Sequence, residues 1–431
     1  MPTQKVYLVD YELISPLGIG KETVWDSIHQ NKIPNTTIRQ FNTAGLADAA
    51  AAEVGDISYL YKDEESDILN CLRYDRKFEL TVAAYHKMKD RLIDLCDQFE
   101  DERCGVIFGL GIDVSPFEKL EKELVSNMDQ KGNPAYNLAL KINPGKGKVN
   151  TLFNPLEISA IYLAEKLGLA AFQKTTLTAC AASTQAISFA CSAIKRGEAD
   201  LVVSGGTDSI VNQLAYMAFS KLGILAPNNH DGTACKPFDM MRNGTLAGEA
   251  SGICVLVSEK MVKKLKLNPL FEIIGYGNSL DAYKITAPDP SGKGMQNAIK
   301  AAVEMANIKA KDIDYINLHG TGTLPNDPIE LDALKAVFGE KVNSIPMSST
   351  KDRHGHAIAS AGIQELGILC LAMENNCIPS NLNLKKSIRS EMDLVQNNNR
   401  KKDLRIGMTN NFAFGGVNSS LILKKNLTET K

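Results

Sequence analysis

Short apolar runs rich in β-branched residues alternate along this chain with stretches in which apolar positions recur every three or four residues. The runs in the first part are "KVYLVDYELI", "CGVIFGLG", "TTLTAC", "DLVVSGG" and "GICVLVSE". They predict strands, the intervening periodicity predicts helices, and the two together read as an α/β fold. After Lys260 the rhythm returns in "LFEIIGYG", "DYINLHG", "SIPMSST" and "RIGMTNNFAFGGVNSSLIL". The recurrence predicts two halves, 1–260 and 261–431, which share an interface because no Pro/Ser-rich linker separates them. "MQNAIKAAVEMANI" and "AGIQELGILCLAMENN" predict buried helices with one polar edge. The stretch 127–149, with several Gly and Pro and little periodicity, reads as a surface excursion.

At 431 residues the chain exceeds one ordinary core, in keeping with a doubled fold. Hydrophobic residues make up 44% and charged residues 23%. No uninterrupted apolar run is long enough to span a bilayer, and no basic N-terminus leads into an apolar stretch, so a cytoplasmic location without a membrane span is expected. The nine cysteines are an odd number without CxxC pairs, and the six histidines lack zinc-type spacing. Reduced thiols are expected, with neither a disulfide framework nor a metal. A formal net charge of −2 argues against nucleic acid as a partner.

Candidate chemistry begins at "TTLTACAASTQAISFACSAIKRG", where Cys180 stands between a strand and a helix. A helix N-terminus offers free N–H groups and partial positive charge, which lower a thiol pKa. A lone cysteine is more commonly a buried packing residue, and Cys191, mid-helix, is read that way. Small neighbours on both sides of Cys180 leave room for a substrate. His319 in "NLHGTGTLPNDPIELDAL" and Lys351 with His356 in "SSTKDRHGHAIASAGIQEL" also follow strands, where α/β folds place chemistry. One such histidine is ordinarily a satisfied core or surface residue. Two of them at matching places in the second half, with a cysteine at an equivalent place in the first, point to nucleophilic acyl transfer.

With "ISPLG", "TACAAS", "KPFDMMRNGTLAGEASG", "HGTGTLPNDPIE", "SSTKDRHGH" and "NNFAFGGVNSS" in this order, the chain resembles, nearly end to end, the β-ketoacyl-[acyl-carrier-protein] synthases of the thiolase superfamily. The likeness is to the elongating Cys-His-His class of fatty-acid and type II polyketide systems. It implies a thiolase-like five-layered αβαβα fold of two pseudo-dyad-related halves, as a homodimer or a heterodimer with a related ketosynthase-like subunit. It also implies acyl carrier protein as partner, with substrates carried on its phosphopantetheine and no separate cofactor. By the same resemblance Cys180 takes the acyl group as a thioester, His319 and His356 serve malonyl decarboxylation and stabilise the enolate, and Lys351 orients His356. Phe414 gates the acyl pocket beside Phe412, and its N–H completes an oxyanion hole with that of Cys180. Thr321 and Thr323 hold the pantetheine arm. Asp327 and Glu330 form supporting polar and ion-binding networks, although on local sequence Asp327 reads equally well as a helix-capping carboxylate. Arg73, Arg76 and Lys77 in "CLRYDRKFEL" match a patch that docks the carrier protein; the ordinary reading is a solvated helix face.

Some positions depart from the family pattern. Ala413 and Val417 replace Gly and Thr in the gating loop, Asn243 stands for Asp, and Ala359 takes a glycine position. Alanine resists conformations that glycine permits, so altered gate motion and a specialised acyl substrate, such as a polyene or aryl chain, are expected. A non-catalytic chain-length-factor-like subunit is the rival reading; such subunits lose the nucleophile, and Cys180 is present. A degradative thiolase would need a second cysteine in "FAFGGVNS", and an initiating synthase would carry Asn at one histidine position.

Overall fold

The computed structural model describes residues 4–46, 48–72, 75–112, 155–227 and 232–426. The surface excursion expected at 127–149 lies outside them. The first part of the chain runs β1 (Val6–Ser15), α1 (Arg76–Cys96), β2 (Cys104–Leu110), α2 (Ile158–Leu167), β3 (Phe172–Thr176), α3 (Ala182–Lys195), β4 (Leu201–Ser209) and β5 (Ala247–Ser258). The same succession then recurs as β6 (Phe271–Leu280), α4 (Lys293–Ala306), β7 (Tyr315–Asn317), α5 (Asn326–Phe338), β8 (Met347–Ser348), α6 (Ala361–Glu374), β9 (Ile406–Phe412) and β10 (Val417–Lys425).

Strand pairing repeats as well. The order β1-β5-β4-β2-β3 in the first part is matched by β6-β10-β9-β7-β8 in the second. In each, the first two pairings are antiparallel and the last two parallel. The two arrays meet where β1 pairs with β6 through Tyr7 with Glu272 and Leu8 with Phe271. Helices α3 and α6 pack on each other and on strands of both arrays, α1 and α2 cover the outside of the first, and α4 and α5 cover the second. Five layers result, the thiolase-like arrangement expected from the sequence. Separate apolar cores fill the spaces. One holds Ile187, Cys191, Ile363 and Leu369 at the central helices, one lies under α1 and α2, and one under α4 and α5.

The central helices decide where chemistry sits. Each begins from a short 3-10 turn, Ala179–Ala181 before α3 and Ile358–Ser360 before α6, and these turns touch. Ala179 and Ile358 both have positive φ, 44° and 35°, a costly region for residues with a Cβ. The shared strain marks Cys180 and Ala359 as counterparts in the two repeats. The first-repeat turn presents a thiol; the second presents Ala359, whose N–H donates to Asp208 Oδ2 at 3.0 Å.

Candidate active site

Cys180 is 3% exposed, and its Sγ lies 3.0 Å from His356 Nε2. The backbone N–H groups of Phe414 and of Cys180 itself are directed at the sulfur. Burial pushes the thiol up to about 12, against the opposing charge of Lys351 and those N–H groups. This corrects the expectation of a lowered thiol pKa: the helix start supplies donors, but removal from water outweighs them. Burial first, and the charge of Lys351 second, hold His319 and His356 well below the usual imidazole range. The resting pair is therefore a neutral thiol beside a neutral imidazole.

The histidine rings lie 5.2 Å apart at 80°, and the edge of Phe412 supports His319 at 6.1 Å. His319 Nδ1 faces Lys351 Nζ at 3.3 Å and Asn411 Nδ2 at 3.4 Å. Two donors fix Nδ1 as an acceptor and leave the proton on Nε2. Lys351 also donates to the His319 carbonyl at 2.6 Å and to Glu365 Oε1. The resemblance implies that Lys351 orients His356; the lysine instead binds His319, because it opens a four-residue helix, Lys351–His354, beside the end of β7. It reaches His356 only through its charge. Among the described residues His356 Nδ1 has no hydrogen-bond partner, so the tautomer of His356 is set only by the contact of Nε2 with Cys180 Sγ.

Glu365 and Asn411 were not anticipated. Asn411 Nδ2 donates to Glu365 Oε2 at 2.7 Å, and its Oδ1 accepts from Thr184 Oγ1 at 2.5 Å. The available signal was a glutamate inside the apolar run of α6, since carboxylates are rarely buried unpaired.

A cavity of about 180 Å³ opens onto these groups, lined among others by Cys180, His319, His356, Thr321, Thr323, Asn243, Phe412 and Phe414. Thr321 and Thr323 share a hydroxyl contact of 2.9 Å. Asp327 and Glu330 lie behind this wall. Glu330 accepts from the N–H groups of His319 and Gly320 at 2.7 and 2.8 Å. Asp327 accepts from Phe238 N at 2.7 Å and Gly322 N at 3.1 Å. Both carboxylates brace the 319–322 loop, and Asp327 does so in place of capping its own helix.

Of the expected docking residues, Arg73 lies outside the described residues. Arg76 turns inward to Glu249 at 2.9 Å, Glu79 at 2.8 Å and the Val54 carbonyl at 3.0 Å, and is not presented as a surface cation. Lys77 Nζ reaches the Ile112 carbonyl at 3.2 Å. Alanine in place of glycine at 413 does not stiffen the gating turn. Ala413 has φ −108° and ψ 156°, which any residue adopts, while Gly415 and Gly416 carry the positive φ of the turn, 80° and 76°.

One sulfur and two imidazole nitrogens within 4.8 Å of one another could ligate a soft divalent ion, but the charge of Lys351 against His319 opposes one. The arrangement suits acyl transfer: a nucleophile with an adjacent base, two N–H donors at the sulfur, and a second imidazole N–H nearby.

The family description "Beta-ketoacyl synthase, N-terminal domain" matches residues 4–261, and "Beta-ketoacyl synthase, C-terminal domain" matches 270–385. The chain is 30% identical over 425 residues to "3-oxoacyl-[acyl-carrier-protein] synthase 2" of Staphylococcus aureus (strain N315), covering 98% of both chains. It is 29% identical over 433 residues to the protein of that name from Rhizobium meliloti (strain 1021), covering 98% of this chain and 99% of the relative. Among solved structures, a type II polyketide acyl-carrier protein in complex with its ketosynthase bound to the hexaketide superposes with TM-score 0.82 at 25% identity, covering 99% of this chain and 100% of that one. The ishigamide ketosynthase/chain length factor gives 0.80 at 26%, with the same coverage. Among the described residues no helix is long and apolar enough to cross a membrane.

Proposed function

Since the chain belongs to the β-ketoacyl synthase family, we propose that it condenses a Cys180-bound acyl chain with malonyl-acyl-carrier protein, giving a β-ketoacyl-acyl-carrier protein. The observation that carries this reading is the 3.0 Å contact of Cys180 Sγ with His356 Nε2 on the wall of a cavity that His319 also lines. In the first step Sγ attacks the thioester carbonyl while His356 Nε2 takes the thiol proton. The oxyanion forms against the N–H groups of Cys180 and Phe414, each such donor contributing roughly 3–4 kcal/mol. Collapse breaks the C–S bond to pantetheine, and the proton on His356 goes to the departing thiolate. In the second step the malonyl C–C bond breaks, carbon dioxide leaves, and the electron pair becomes an enolate whose oxygen accepts from Nε2–H of His319 and from that of His356, whose one ring proton moves from Nδ1 to Nε2 once the acylated sulfur no longer donates to it. The enolate carbon attacks the Cys180 thioester, the carbon–carbon bond forms, the C–S bond to Cys180 breaks, and the departing thiolate takes a proton that solvent supplies through His356.

The cavity-lining Thr321 and Thr323 suit the amides of a pantetheine arm, and Phe414 with Phe412 flanks the reacting centre. In this reading residues up to 260 supply the nucleophile and those from 261 supply both histidines. Acyl carrier protein is the partner, and no cofactor beyond its phosphopantetheine is invoked. The protein works in the cytoplasm as a homodimer or paired with a related subunit. A non-catalytic subunit is the poorer reading, because such a role requires neither the thiol nor the base beside it. Intact-mass measurement after incubation with acyl-carrier proteins tests the assignment. Wild type should gain one acyl group and Cys180→Ala none; condensation retained by Cys180→Ala would overturn it.

A further inference from the structure

The two histidines are held in unlike ways. Two side-chain donors, Lys351 Nζ and Asn411 Nδ2, fix the ring of His319. The ring of His356 meets Cys180 Sγ through Nε2 at 3.0 Å, and among the described residues its Nδ1 has no partner. Its place beside the sulfur must therefore come from the backbone that carries it. Upstream, His356 N–H donates to the Leu246 carbonyl at 2.7 Å. Downstream runs the 3-10 turn Ile358–Ser360, in which Ile358 holds φ 35°. A β-branched residue keeps such a backbone only where its surroundings impose it.

Asp208, near the end of β4 and 3% exposed, is a buried carboxylate to which the condensing steps give no part. Its Oδ1 accepts from Ser209 N at 2.8 Å and its Oδ2 from Ala359 N at 3.0 Å. The first bond holds the carboxylate to its own strand; the second crosses from the first repeat to the strained turn of the second. The carboxylate has little freedom to withdraw, since a Cβ placed on Gly111 would stand 2.0 Å from its Oδ1. We propose that Asp208 is a positioning residue for His356: by holding the Ala359 N–H it keeps the 358–360 turn in place and sets where Nε2 meets the Cys180 sulfur. The inference rests on the condensing reaction above. Direct activation of the sulfur by Asp208 has the wrong sign, because its negative charge pushes the Cys180 thiol up. The other charges that act on Asp208 are Lys77, which favours the carboxylate, and Asp75, which opposes it. Loss of the Asp208 charge therefore eases ionisation of the thiol while loss of the tie displaces the base, and the two consequences can be measured apart.

The test compares two reactions of one sulfur in wild type and Asp208→Asn at neutral to mildly alkaline pH. Acylation by an octanoyl-pantetheine thioester needs a placed base, whereas alkylation by iodoacetamide needs only thiolate. Asparagine keeps the volume but offers a single acceptor oxygen where two N–H groups point, so one bond is lost. The maximal acylation rate should fall about 10- to 100-fold with KM changed less than about twofold, because the base moves and the thioester site does not. Alkylation should run at least as fast as in wild type. Carbon dioxide release from malonyl-carrier protein should fall less than acylation, since His319 keeps its own donors, and amide exchange at Ala359 should quicken. Should Asp208→Asn fail to fold, Asp208→Ser, which loses the charge and the reach to Ala359, carries the same expectation. Acylation at the wild-type rate in a folded variant, or alkylation slowed in step with acylation, overturns the positioning role and leaves the condensing reaction standing. A wild type that takes no acyl group and releases no carbon dioxide overturns both.

Discussion

Lys351 and Glu365 are buried against each other, with side-chain exposures of 0% and 1%, and His319 Nδ1 is where that pair meets the cavity wall. Removing one partner of a buried pair leaves the other charge uncompensated, at a cost of about 3–5 kcal/mol. Lys351→Met should destabilise by about that much in chemical denaturation. It should also slow malonyl decarboxylation more than Cys180 acylation, because His356 and not His319 contacts the sulfur. Adding Glu365→Gln should restore stability without restoring decarboxylation; return of both would mean that the lysine serves only the fold. The thiol, pushed up to about 12, and His356, held low, make a second prediction. The competent pair is thiol with neutral imidazole, so the acylation rate should stay flat between about pH 6.5 and 9 and fall on the acid side only when His356 takes a proton. A limb inside that range would indicate a thiolate–imidazolium pair. Cys180, His319 and His356 were legible because each follows a recognisable strand. Glu365 was not, because its partners Lys351 and Asn411 come from other elements, and no local pattern records that meeting.

At the scale of elements, the turn after β9 shows how a residue's identity and its backbone can tell different stories. An alanine where glycine is expected suggested a stiffened gate, yet Ala413 is extended and the left-handed positions fall on Gly415 and Gly416. Ala413→Gly therefore relieves no strain. It should lower stability by about 0.5–1 kcal/mol through the unfolded chain and speed amide exchange across 413–416. Gly416→Ala is the more damaging change. It combines φ 76° with a Cβ that would stand 2.8 Å from Asp281 Cβ, and the Gly416 carbonyl accepts from Asp281 N at 2.8 Å. The Phe414 N–H should shift off the sulfur, so acylation of Cys180 should drop at least tenfold with small thioesters as well as with carrier protein; unchanged acylation would show that the turn tolerates the shift. The strands themselves were readable from their apolar runs, although only two residues of "SIPMSST" form β8. Their mirrored order was not readable, because pairing of β1 with β6 joins residues some 260 positions apart through only two pairs.

Across the whole molecule, Arg76 shows why a charge run near a site is an unreliable guide to a partner. Its neighbour in sequence, Asp75, caps α1 by accepting from Phe78 N at 3.1 Å, which turns Arg76 toward Glu249 on β5 rather than toward water. The Glu249 side chain, 0% exposed, also accepts from Gln40 Nε2, Val54 N and Ser209 Oγ. Arg76 thus fastens α1, the 40–54 segment and the end of β4 to a single carboxylate, and that segment includes Phe41 of the apolar cluster beside Cys180. Arg76→Ala should leave Glu249 buried without its cation, costing about 3–5 kcal/mol of stability. It should lower kcat/KM by similar factors for acyl-carrier protein and for a small pantetheine thioester, because the damage reaches the apolar cluster against Cys180 and not an encounter surface. A docking cation behaves differently: its loss raises KM for the protein substrate, makes that KM less dependent on salt, and spares the small thioester. Comparing the two substrates at low and high ionic strength in one stable background separates these roles, and a defect confined to the carrier protein would return Arg76 to the docking surface.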